Sequence, residues 1–133
     1  MHTQEFINKV KTMASLDNDK EAMKLIQVVF MNIHSRLLEG EADNIEATLP
    51  TQLQTVWEKG FENRWAKPRP VERFNKEQLL NRISNQAKIG EISETEWKTK
   101  AVMHVLKEAI PEGEVRDAAA EFPPDIRALW LSA

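Results

Sequence analysis

The sequence predicts an all-α fold: one helical domain made of two tandem copies of a four-helix unit sharing one helical-bundle core. Three observations carry this. Displacing the chain against itself by 73 positions pairs residues 3–57 with 76–130 without a gap and gives ten identities in 55 pairs, about three times the chance level. Apolar residues face apolar residues in 17 of those pairs, where composition alone predicts about nine. Finally, no segment alternates polar and apolar residues over a useful length, and the chain has no Tyr, so no strand is called for.

The ten identities are Asn8/Asn81, Ala14/Ala87, Glu21/Glu94, Val29/Val102, Glu39/Glu112, Gly40/Gly113, Glu41/Glu114, Ala47/Ala120, Pro50/Pro123 and Trp57/Trp130. They include punctuation, Gly-Glu and Pro, as well as periodicity, which two unrelated amphipathic helices would not share. The weakest stretch sets the apolar turn 22–27 against the mostly polar 95–100.

Each unit reads as four helices. The first, over 3–14 and 76–87, carries Phe6, Ile7, Val10 and Met13, then Leu79, Leu80 and Ile83, at one-face spacing. The second follows the N-cap cluster 15–19 and runs to about Leu38; its counterpart is predicted to open on a capping box formed by Ser93 and Glu96. Val29, Ile33 and Leu37, matched by Val102, Leu106 and Ile110, put an apolar stripe on these central helices. The third, short helix covers 39–47 and 111–121. Its Glu-Gly-Glu opening favours the positive end of the helix dipole, and Pro111 suits a first helical position. Leu49-Pro50 and Phe122-Pro123-Pro124 then break the chain before a fourth helix that ends at Trp57 or Trp130.

Between the units, residues 58–75 form a connector with Gly60, Pro68 and Pro70, aromatic Phe61, Trp65 and Phe74, and basic Arg64, Lys67, Arg69 and Arg73. Three aromatics there predict an ordered segment packed on the domain, since exposing each would forfeit about 1.5–3 kcal/mol of burial.

Gly113-Glu114 followed by Phe122-Pro123-x-x-Ile126-x-x-Leu129-Trp130 has a weaker echo in Gly40-Glu41 and Leu49-Pro50-x-x-Leu53-x-x-Val56-Trp57. Together with the Pro68-Arg69-Pro70 connector leading to Phe74, this pattern resembles the bacterial family catalogued as domain of unknown function 2267 over nearly the whole chain. The resemblance implies an all-helical, internally duplicated fold and brings no catalytic or ligand residues. Phe122 stands where the family pattern usually has Leu, an apolar exchange.

Composition excludes several functions. Without Cys there are no disulfides or thiolate sites, which suits a reducing cytoplasm. No apolar run is longer than that of Val28-Val29-Phe30-Met31, too short to span a membrane, and the N-terminus has no secretory pattern. The histidines, His2, His34 and His104, lack metal-ligand spacing, and His34 and His104 are expected at surface or edge positions. Repeated glutamates without a Glu-x-x-His motif are assigned to helix capping rather than to a di-metal site. The four glycines are isolated, so neither a phosphate loop nor a nucleophile elbow exists. No catalytic, cofactor-binding or metal-binding residue is expected.

Two places exceed what a core needs. The connector residues Arg64, Trp65, Lys67, Arg69 and Arg73 combine Trp and Arg, the commonest hot-spot residues, within residues 58–88, which carry a charge of +4 between −3 over 1–57 and −4 over 89–133. They offer an interaction surface, or they neutralise the flanking helices; a pI near 5.7 argues against nucleic acid. Trp57 and Trp130 end equivalent helices and either line an inter-repeat pocket or pack the core. The function expected is therefore a non-enzymatic cytoplasmic module that binds a protein partner or itself, with a small-molecule binder or enzyme using that pocket as the alternative.

Overall fold

The computed structural model describes residues 1–58 and 71–133. Among these the protein is all-α, with eight helices and no strand. They are α1 Thr3–Met13, α2 Asp19–Arg36, α3 Glu39–Thr48, α4 Thr51–Glu58, α5 Lys76–Ala87, α6 Ile92–Ala109, α7 Glu112–Glu121 and α8 Pro124–Ser132. None of these is long and apolar enough to cross a membrane.

Local chemistry explains the boundaries. Asn18 caps α2 by accepting from the Glu21 amide, inside the polar cluster that marks this start in the sequence. The capping box lies elsewhere than expected: it opens α5, where Asn75 and Gln78 satisfy each other's free amides at 2.9 Å. Helix α6 begins at Ile92, one residue before Ser93, with Glu91 in the N-cap position and no side-chain cap; Thr95 turns its hydroxyl back to the Glu91 carbonyl. Pro111 and Pro123 stand just outside α7 and α8 in extended backbone and lead the chain into each helix. Helix α1 ends before Ser15, and α5 at Lys88, both at positive φ (53° and 58°). The left-handed turn reverses the chain in each case without a glycine.

Packing is reciprocal. Helix α1 lies against α2 and α6, α5 lies against α6 and α2, α2 touches α6, and α3 packs on α7. A single cluster of buried apolar residues runs from Phe6 to Trp130 through every helix. Its aromatic spine is Phe6, Phe30 and Trp57 in edge contacts of 5.7 and 5.3 Å, with Phe122 on Trp130 at 5.6 Å on the other side.

A polar layer ties the segment before α5 to this core. Asn32, fully buried on α2, donates to Gln86 and accepts from Arg82, which is bonded to Glu72 and lies over the Phe74 ring at 4.3 Å. Arg36 donates to the Phe74 carbonyl, and the Glu72 amide to the Ser35 carbonyl. Residues 71–75 are thus fastened to α2.

Candidate functional site: an open seam and a buried carboxylate cluster

Of the connector residues singled out in the sequence, Arg64, Trp65, Lys67 and Arg69 lie outside the described residues, and Arg73 is exposed. Trp57 and Trp130 are both 0% exposed. Each indole N–H is committed to the backbone, Trp57 to Ala42 O at 3.1 Å and Trp130 to Val115 O at 3.0 Å. These are core anchors that pin α4 to α3 and α8 to α7. His34, expected at the surface, is buried: its ring stacks on Trp57 at 4.9 Å and its Nδ1 is 3.0 Å from the Trp57 carbonyl. The cause is the indole, which covers the face of α2 on which His34 stands. His104 is half-buried and faces Glu108 at 3.6 Å.

Among the described residues, the largest aromatic surface left open is on α6. Trp97 is 46% exposed and lies in a depression of about 320 Å³ walled by Met13, Ser93, Lys100, His104 and Ala133. Ser93, Trp97, Lys100 and His104 recur at helical spacing and form one face of α6. Met13 also borders a second, more open depression of about 620 Å³ along α1, shared with Glu5, Asn8 and Lys9. The two join into a seam between α1 and α6. Its charges interleave: Lys9 stands 3.8 Å from Glu5 and 3.7 Å from Glu108, and Lys76 holds Glu96 at 2.9 Å. Such exposed pairs contribute about 0–1 kcal/mol each, so the charges stay available to a partner.

The expectations for the sequence passed over Trp97. It lies in the polar turn 95–100, where the two halves match worst, and that mismatch was the signal: a Trp placed where its counterpart is Lys24.

A second feature lies where α3 meets α7. Glu41 and Glu114, each in the first turn of its helix, come together with Asp117 so that one carboxylate oxygen from each lies within 4.8 Å of the others. Glu41 is only 6% exposed. The Oε2 atoms of Glu41 and Glu114 are buried and have no hydrogen-bond partner among the described residues. Burial, a carboxyl–carboxyl hydrogen bond to Glu114, and the charges of Glu114, Glu121 and Asp117 push the Glu41 pKa up to about 8. Assigning these glutamates to helix capping is therefore incomplete. The helix dipoles favour their charge, but the α3–α7 contact removes Glu41 from water and sets it against its counterpart.

Comparison with known families identifies the fold's relatives. Residues 3–129 match the family described as Uncharacterized conserved protein (DUF2267). The chain belongs to this family. The DUF2267 match reaches all eight helices, stopping inside α8, and takes in the carboxylate cluster and the seam residues of α1 and α6. A search of curated proteins finds no match. With no activity attached to the family's description, function must be argued from the seam and the cluster.

Proposed function

We propose that this DUF2267 protein is a non-enzymatic, cytoplasmic helical module that self-associates through the α1–α6 seam, a second copy of the chain occupying it. The observation that carries the reading is the exposed Trp97 indole at the wall of the seam. Tryptophan is the side chain most often found at the energetic centre of interfaces, and nearly half of this one is left uncovered by its own chain. The seam favours a copy of itself because Lys9, Lys100 and His104 alternate there with Glu5, Glu96 and Glu108. A patch carrying both signs can satisfy itself about a twofold axis, as isologous dimers require. The Cys-free composition supports a reducing compartment.

The same reading holds that the domain arose by duplication, α1–α4 and α5–α8 forming two copies interleaved about a pseudo-twofold axis. Helix starts 3, 19, 39 and 51 recur as 76, 92, 112 and 124, each 73 positions later. The indole bonds Trp57–Ala42 and Trp130–Val115 recur at the same displacement, as do the positive-φ residues Ser15 and Lys88. Packing of α1 on α6 and α5 on α2 exchanges partners between the copies, which favours one shared core. The alternative, a small-molecule pocket at Trp57 and Trp130, loses support because both indoles are enclosed.

The test is sedimentation equilibrium over a dilution series. Wild-type protein is expected to shift reversibly between monomer and dimer, and Trp97→Glu to weaken that association at least about tenfold. Thr51→Glu, on the exposed start of α4, is expected to leave it unchanged. A wild-type chain that stays monomeric at every concentration rejects the proposal.

A further inference from the structure

We propose that Glu41, Glu114 and Asp117 form a binding site for a hard divalent cation, of the calcium, magnesium or manganese class, held between α3 and α7. Two independent features point to it. The first is spacing. Two oxygens bound to one such ion at about 2.0–2.6 Å can be no more than about 5 Å apart, and the three carboxylates each place an oxygen within 4.8 Å of the other two. The second is an unpartnered oxygen on two of these carboxylates. Glu41 is more than nine-tenths buried, yet its Oε2, like that of Glu114, is enclosed without a hydrogen-bond donor among the described residues. Buried carboxylate oxygens lacking a donor are costly, and a bound cation supplies the missing partner.

The donor set selects the ion. All three ligands are carboxylate oxygens, with no sulfur and no imidazole, which disfavours zinc and copper and suits hard ions. Asp117 is exposed while Glu41 is buried. The site therefore opens on one side, where water can complete six or more ligands. Glu121, whose charge also acts on Glu41, deepens the negative potential beside it. An ion there would bridge one residue of α3 to two of α7 and so lock the two helices together. This goes beyond the proposed self-association and uses none of the seam residues.

The test is titration of the chelator-stripped full chain with manganese, following loss of the free-ion paramagnetic resonance signal at pH 8, with calcium and magnesium as competitors. The expected result is one saturable site per chain, displaced by calcium or magnesium and accompanied by a rise in melting temperature that matched potassium chloride does not reproduce. Asp117→Asn, an exposed change that should not disturb folding, is expected to weaken binding tenfold or more; Glu114→Gln should weaken it further. Glu108→Gln, on α6, should bind as wild type does. Absence of a saturable site, or binding that Asp117→Asn and Glu114→Gln leave unchanged, overturns the proposal.

Discussion

Replacing Trp57 with alanine is expected to cost about 3–5 kcal/mol of folding free energy, from lost burial and the cavity left behind. The side chain is fully enclosed, in edge contact with Phe30 and stacked on His34, and its N–H satisfies the Ala42 carbonyl. Truncation also orphans that carbonyl, which costs a further ~1–3 kcal/mol if water does not reach it. Since domains of this size are stable by about 5–15 kcal/mol, most of that stability goes. Urea unfolding followed by far-ultraviolet circular dichroism measures this. Trp57→Phe narrows the cause, because it keeps an aromatic ring and most of the apolar volume while removing the donor; it is expected to cost about 1–3 kcal/mol. Trp130→Ala should behave like Trp57→Ala, for its indole is equally enclosed and makes the matching bond to Val115. A loss below about 1 kcal/mol for either alanine variant would mean that the ring is not core.

In protein stripped of divalent cations, stability is expected to fall as pH rises from about 5 to 9, and Glu41→Gln to abolish most of that fall. Glu41 binds its proton more tightly folded, at about 8, than at its ordinary value of 4.5. Between those values the folded state holds more protons than the unfolded one. The stabilisation is thus fully present below about pH 4.5 and lost as pH climbs through 8. The groups that raise it face Glu41 from α7: Glu114 by hydrogen bond and charge, Glu121 and Asp117 by charge. The amino-terminal dipoles of α3 and α7 oppose them by about 0.3–1 kcal/mol each. Over the whole window the effect is on the order of a few kcal/mol, or about 10 °C in melting temperature. Glutamine keeps the shape, donates to Glu114 and has no charge to bury. At pH 9 Glu41→Gln should therefore melt above wild type, and at pH 5 close to it. A wild-type melting temperature that rises across this range contradicts the burial of that carboxyl.

Helix types, and boundaries to within a residue or two, were legible because they are written locally. Apolar spacing marks Val29, Ile33 and Leu37, while Pro50, Pro111 and Pro123 mark breaks. Caps were less legible: Ser93 and Glu96 fit the capping-box pattern, but Asn75 and Gln78 use it, since many polar residues can cap and the chain chooses by where the helix packs. His34 was misplaced, and the burial of Glu41 was not foreseen, for a common reason. A polar side chain reads as exposed until something covers it, and what covers these two comes from elsewhere in the chain, Trp57 from α4 and Glu114 from α7. Trp97 was missed from the opposite direction, because an exposed tryptophan carries the same letter as a buried one. The equivalence of Glu41 and Glu114 was visible in the sequence. That they meet depends on α3 packing against α7, which no local pattern encodes.

Self-association through the seam is tested most directly by a distance between two copies. The chain has no cysteine, so a single nitroxide attached at Ser93→Cys reports only contacts with an identical label on another molecule. Dipolar electron resonance on concentrated protein should give one narrow distance distribution, lost when Trp97→Glu is added. No dipolar coupling between labels at position 93, in protein that is folded and concentrated, would contradict the account.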